Sequence, residues 1–424
     1  MSILSLQKQS QNTDFPNLRP SLDLRFALAK KLDPRITFTR GSTGTYFGPD
    51  GLMKTAGVNE PRFDHDPVTG QSLGLLIEES RVNQLTRGDI EGTVGAQPTG
   101  MQLFGPSNGQ TAVVSTDVFL GPNGQSCKHT RGTWADNNIG YIDSGAITAG
   151  STYVFSAYVY IPSSQAKNFE GKLLRFSMES PNSSNTLASA DVTIVDRWQR
   201  VWGTCVPTGV NAIWVIRTNA NVGSFFYTDC WQLELGSLPT SYMPASGGSQ
   251  FTRNPDLVEM TGTNFSSWYN QSEGTIYIET DKLYSGNFDA YRHPYKIDSG
   301  SNADQITAYT LPGATSITNY GIVANGGRQV NDYQQINIGS SPIRYKLGQS
   351  VNTKYFFFTT STGRVPPQLP SKSAPNTHNL SLATNMSRLF IGNSAGGGQI
   401  NSHIARLTYY PIALTNQQLI NLTS

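Results

Sequence analysis

Apolar alternation in this chain never outlasts a single strand. Runs such as "SLDLRF", "ITFTR", "STYVFSAYVYIP", "RWQRVWGTCV", "GTIYIET" and "RLFIGN" set apolar against polar residues for a few positions. Gly, Pro, Asn or Ser then cuts each one off. Period-two alternation of this length marks half-buried strands, and dense turn signals between the runs leave no room for long helices. With 424 residues the chain has enough strands for two or three cores. Only 14% of its residues are charged, so neutral Ser, Thr, Asn and Gln carry the outer faces of the sheets. One helical signature stands out, "TNQQLINL". There Thr415 is placed to cap, Gln418 to close a capping box, and Leu419 and Leu422 lie on one face.

The fold class that follows is all-β, an N-terminal β-meander followed by two jelly-roll β-sandwich domains. Residues 1–20 are polar and aperiodic, an arm that orders only against a partner. Residues 21–86 hold two hairpins, one turning at Pro49-Asp50-Gly51 and the other between Asp66 and Gly70. Residues 87–245 form a jelly roll entered through a loop-like stretch, residues 246–255 a Gly/Ser/Pro-rich linker, and residues 256–424 a second jelly roll.

The second hairpin invites another reading, because Asp64, His65 and Asp66 stand in a row with Glu78 and Glu79 close behind. Successive strand residues face opposite ways, so Asp64 and His65 cannot share an ion without a bulge. Asp66 precedes a proline, where turns place aspartate. The stretch therefore reads as a turn. No metal ligands and no cofactor are assigned.

Other function classes find little support. The chain has 31 basic and 29 acidic residues and no basic stripe interleaved with aromatics, so nucleic acid is not expected. The most apolar short run, "YFFF", is far too short for membrane insertion, and the first residues lack the pattern of a secretory signal. Cys127, Cys205 and Cys230 read as reduced thiols, with a Cys205–Cys230 bridge as the alternative. Five scattered histidines, no nucleophile elbow and no zinc-binding helix motif argue against an enzyme, so no catalytic residue is assigned. Carboxylate pairs such as Glu179 with Asp191 are equally explained as solvated strand faces.

Sugar binding asks for less: an aromatic platform with polar groups nearby. Strand parity sets Tyr158 and Tyr160 opposite Phe155, Ala157 and Val159. It likewise sets Arg175 and Glu179 opposite Leu174, Phe176 and Met178. If the two strands are neighbours, Tyr158, Tyr160, Arg175 and Glu179 line one polar-aromatic surface; the alternative is an ordinary outward sheet face. Trp134, in a loop-like stretch, is a candidate rim contact, and Tyr291 and Tyr295 with Arg292 and His293 form a second candidate patch. Trp198, Trp202, Trp231 and Trp268 lie in apolar alternation and read as packing residues.

Three stretches resemble known families. Ser21 to Leu85, with "ITFTRGSTGTYFGPDG" and "NEPRFDHDPVTGQSLGLLIEESRVN", resembles the N-terminal segment of bacteriophage tail and appendage proteins. From about Cys127 to Pro244, "YVFSAYVYIP", "DRWQRVWGT" and "CWQLELGSLPTSYMP" resemble carbohydrate-binding modules of the jelly-roll type. "SSWYNQSEGTIYIE" through "IARLTYYPIALTNQQLINLT" resembles the concanavalin- or laminin-G-like domain that closes many such phage proteins.

These resemblances imply a virion protein assembled in the host cytoplasm, a tail fibre or tail appendage that contacts host surface glycans for adsorption. Other virion tail proteins would be its partners. The alternatives are a purely structural tail adaptor or capsid decoration, and, third, an enzyme that degrades surface polysaccharide. The resemblance also admits a structural calcium near Asp229, and it implies a homotrimer. Open strand edges in the 21–85 meander give the trimer a physical basis, since an unpaired edge invites another chain.

Overall fold

The structure is a computed structural model. It describes residues 18–104, 109–133, 137–141, 147–180, 185–209, 213–281, 291–310, 317–324, 327–335, 345–352, 355–361, 376–377, 382–395 and 397–423. The arm at 1–20 lies almost wholly outside the described residues. The rest is all-β, with every pair of neighbouring strands among the described residues antiparallel.

The middle of the chain forms a sandwich of two five-stranded sheets. One runs Trp198–Cys205, Tyr153–Tyr160, Phe225–Leu235, Ser126–Thr130, Thr111–Ser115. The other runs Asn185–Ser189, Leu174–Ser180, Ile213–Thr218, Asn137–Tyr141, Met101–Phe104. Alternation decides what fills it. Phe155, Ala157 and Val159 from one sheet meet Leu174, Phe176 and Met178 from the other, all buried. The Phe155 ring lies 5.7 Å from those of both Phe176 and Trp231. Each such side chain contributes about 1.5–3 kcal/mol on leaving water.

The second sandwich differs from its expected boundaries. Its eight-stranded sheet contains Glu273–Thr280 and Ser402–Tyr410, but also Ser72–Ile77, Arg62–His65 and Leu22–Leu24. The far edge of Ser402–Tyr410 is filled by Leu75 opposite Ile404 and by Leu24 opposite Leu407. The facing seven-stranded sheet likewise begins with Thr37–Thr39, paired to Leu257–Thr261. Leu22, Leu24, Phe26, Phe38, Leu75 and Ile77 share one core with Val258, Met260, Ile278, Leu389 and Leu407. The N-terminal meander is therefore not a separate unit, because its strands complete both C-terminal sheets. Ser72–Ile77 and Leu22–Leu24 are thus paired within the chain, while Arg62–His65 and Thr37–Thr39 stand at the ends of their sheets.

The stretch 246–255 is not a free linker either. Phe251–Arg253 pairs with Arg81–Asn83, and Arg253 is fully buried. Beside it lies an ionic cluster sealed from solvent. Arg62 donates to Asp256 (2.5 Å) and Glu78 (2.7 Å), while Arg40 donates to the other oxygen of Asp256 (3.0 Å). Arg253 approaches Glu78 at 3.2 Å. Burial would raise the Glu78 carboxyl, yet the Arg253 and Arg62 guanidiniums hold it well below the usual carboxylate range.

Both predicted hairpins are present, and their tips meet. Gly51 and Gly70 adopt φ of +72° and +67°. A Cβ on Gly51 would stand 2.6 Å from the Pro67 carbonyl oxygen, and one on Gly70 2.7 Å from that of Pro49. Only glycine tolerates both the dihedral and the approach. The helix Asn416–Thr423 carries its reciprocal capping box: Thr415 Oγ1 accepts from the Gln418 amide at 3.3 Å, and Gln418 Oε1 accepts from the Thr415 amide at 3.0 Å.

Two outcomes follow from this arrangement. A fragment of residues 251–424 lacks strands of both C-terminal sheets and will show no sharp thermal transition; a cooperative melt of that fragment would restore the independent domain. Asp256→Asn leaves Arg40 and Arg62 short of a buried counter-charge and will cost about 3–5 kcal/mol in chemical denaturation of the full chain.

Candidate functional site

A cleft of about 740 Å³ opens where the hairpins, the middle sandwich and the C-terminal sandwich meet. Its volume lies in the range of small-ligand sites. The middle sandwich supplies the outer face of its Trp198–Cys205 and Tyr153–Tyr160 strands, whose register sets Trp202 opposite Ser156, Arg200 opposite Tyr158, and Trp198 opposite Tyr160. Tyr158 forms part of the wall, covered by the Phe47 ring of the first hairpin at 6.2 Å. Burial pushes its phenol up to about 12. Arg200 lies over Tyr158, its guanidinium carbon 5.5 Å from the ring centre, and donates to Ser156 Oγ at 3.0 Å. Trp202, two residues further along the same face, leaves 42% of its surface exposed in the cleft lining.

The opposite wall holds His403, on the Ser402–Tyr410 strand, between two carboxylates. Its Nε2 lies 2.9 Å from Asp64 Oδ2 and its Nδ1 3.1 Å from Asp281 Oδ2. Burial disfavours the imidazolium, but hydrogen bonds and charge from Asp281 and Asp64 outweigh it and raise the group to about 9. Asp64 is further fixed by the Phe47 amide, which donates to Oδ1 at 2.6 Å.

Asp66 behaves as the turn residue expected of it, accepting from the amides of Val68 (2.9 Å) and Thr69 (2.8 Å). A register shift does fall between Asp64 and His65, but their side chains take different partners: Asp64 Oδ2 meets His403, and His65 Nδ1 contacts the Phe47 carbonyl oxygen. Among the described residues no group of three or more His, Cys, Asp or Glu is placed to hold a metal ion. Asp229, the position suggested for calcium, spends its oxygens on the amides of Leu120 and Gly121 (both 2.8 Å) and Cys230 (2.7 Å). Cys127, Cys205 and Cys230 are all free and buried.

The predicted contact residues are only partly brought together. Tyr158 and Tyr160 do share the outer face, but Arg175 and Glu179 belong to the other sheet of the sandwich, where Arg175 pairs with Ser189 and Arg217. The four do not line one surface, because the strand Tyr153–Tyr160 takes Trp198–Cys205 and Phe225–Leu235 as its neighbours. The Glu179 side chain and the whole of Trp134 lie outside the described residues. Tyr160 packs on Trp198, ring centres 5.5 Å apart, beyond the cleft lining. Tyr291 is half exposed beside His293 and Tyr309. Tyr295 is buried in the C-terminal core, its hydroxyl on Gln349, because a register shift between Arg292 and Tyr295 reverses the parity.

Of the four tryptophans assigned to packing, Trp231 and Trp268 are core, and Trp198 packs against the buried Tyr158 cluster. Trp202 is the exception. Its signal was present in "RWQRVWGTC", where Trp198, Arg200 and Trp202 share one parity and Val201 and Cys205 the other. Nothing in the sequence marked His403, which meets Asp64 across 339 positions.

No family model and no curated protein matches this chain. Among solved structures, the CBM40 of the Ruminococcus gnavus IT-sialidase, bound to α2,6-sialyllactose, aligns at 12% identity. The match covers 38% of this chain and 88% of that one, with a TM-score of 0.29. The CBM22-1 xylan-binding domain of Paenibacillus barcinonensis Xyn10C aligns at 14% identity over 37% and 94% of the two chains, with a TM-score of 0.27. The CBM22-1–CBM22-2 tandem of the same protein aligns at 9% identity over 80% and 99%, with a TM-score of 0.28. These neighbours are carbohydrate-binding modules of weak similarity. They carry nothing about a virion origin, and no property passes from them to this chain.

The His403 pairing has a measurable pH signature. A group raised in the folded state stabilises fully below its unfolded value, here 6.5, and that stability is lost as the pH climbs through about 9. Stability in chemical denaturation will therefore fall across that window by on the order of 3 kcal/mol, and His403→Gln will flatten the slope. An unchanged slope in the variant would detach His403 from it.

Proposed function

We propose that this protein binds glycans in the cleft and is a virion appendage that uses them for adsorption to the host. The observation that carries the binding is Trp202: a large indole, part exposed, set among polar groups supplied by three separate parts of the chain. An aromatic face stacks on the apolar C–H side of a sugar ring, while amides and hydroxyls such as those of Gln71, Asn401 and Ser402 answer its hydroxyls. The appendage role rests on the resemblance of Ser21–Leu85 to phage tail proteins.

Binding without hydrolysis suits the state of the carboxylates. Glycoside hydrolysis needs one acid kept protonated and a second carboxylate free to act as base or nucleophile. In this cleft Asp64 and Asp281 flank an imidazolium, and Glu78 is held ionised by Arg62 and Arg253. Asp66, the fourth carboxylate of the lining, accepts from the amides of its own turn, so each is committed to neighbours.

Trp202→Ala tests the reading. Its exposure means the melting temperature will hold, while affinity for the polysaccharide of a susceptible host will fall about tenfold or more. Undiminished binding by a folded variant would remove the cleft as the glycan site.

A further inference from the structure

Arg200 stands apart from the other charged groups of the cleft. Each carboxylate in its lining already has partners: Asp64 and Asp281 hold His403, Glu78 holds Arg62 and Arg253, and Asp66 accepts from the amides of its own turn. Arg200 is the one arginine in that lining, and no lysine joins it. It donates to the neutral Ser156 hydroxyl and leans on the Tyr158 ring, and its Nε is buried with no acceptor. Among the described residues no carboxylate lies within ion-pair distance of it. The buried arginines of the neighbouring cluster, Arg40, Arg62 and Arg253, by contrast each face Asp256 or Glu78.

From this geometry we infer that the cleft is built for an acidic sugar, whose carboxylate pairs with Arg200 while its ring lies on Trp202. The inference rests on the glycan reading given above and adds the class of glycan. Arg200 and Trp202 are two positions apart on one strand face, so they stand about 6.5–7 Å apart. That spacing lets a ring stacked on the indole carry a carboxylate to the guanidinium. A guanidinium offers paired parallel donors that match a carboxylate, and such bonds are about twice as strong as neutral ones. Uronic acids and nonulosonic acids such as sialic acid carry the group and serve as the probes.

Paired probes separate the outcomes. Full-length protein is titrated with an oligogalacturonate and its carboxyl-reduced form, and with sialyllactose and lactose. Wild type will bind the charged member of at least one pair about tenfold or more tightly than its neutral counterpart, and the pair that shows this names the sugar class. Arg200→Gln will erase that preference, with the melting curve as control. Arg200→Lys keeps the charge without the fork; it will restore only part of the preference, and serves as the folded variant should glutamine unfold the chain. Equal affinity for both members of each pair overturns the inference, as does a preference that survives Arg200→Gln. If Trp202→Ala abolishes binding while Arg200→Gln leaves any charge preference intact, the glycan reading stands and this one falls. Failure to bind any of the probes overturns the acidic class directly.

Discussion

Arg62 is the point on which the architecture turns. It sits in the second hairpin, fully buried, with hydrogen bonds to Glu78, Asp256, Ser241 Oγ and the Thr45 carbonyl. Those partners come from both hairpins, from the end of the middle sandwich and from the start of the C-terminal one. A buried charge that loses its partner is far more costly than a surface one, so the four segments cannot drift apart without stranding an ion. Well-packed apolar residues in place of a buried ionic cluster are often neutral for stability, but they lose the geometric demand that each guanidinium meet its own oxygens.

That demand shapes the cleft. Glu78, which anchors Arg62 from one side, also lines the cavity, and Ser241 donates to it from amide and hydroxyl at 2.7 and 2.6 Å. With the hairpins pinned there, Phe47 is pressed onto Tyr158 and Asp64 is carried to His403. The cavity thus forms where three parts of the chain are locked together. Its walls are sheet faces and tight turns, which gives the ligand-facing side chains rigid support.

The same lock explains why the N-terminal segment, which reads as a free-standing meander, is structurally the missing part of the C-terminal sandwich. Leu24 and Leu75 lend a second edge to the strand Ser402–Tyr410, whose Leu407 and Ile404 would otherwise lack pairing partners on that side. Covering an edge from within the chain removes a site of unwanted strand pairing.

What the sequence determined by itself is local. Period-two alternation assigned Phe155, Val159, Phe176 and Met178 to a core and Tyr158 and Tyr160 to the opposite face. Turn chemistry placed both hairpins at Gly51 and Gly70, and Thr415 with Gln418 announced the last helix. Each of these is a property of a few neighbouring residues, governed by dihedral preference and by which way successive side chains point. The tertiary structure alone decided which strands are neighbours. It set Arg200 and Trp202 beside Tyr158 in place of Arg175 and Glu179, drew Arg253 out of an apparent linker into a buried cluster, and joined His403 to Asp64. Pairing of that kind depends on shape and charge matching between segments far apart in the chain, and no local pattern encodes the partner.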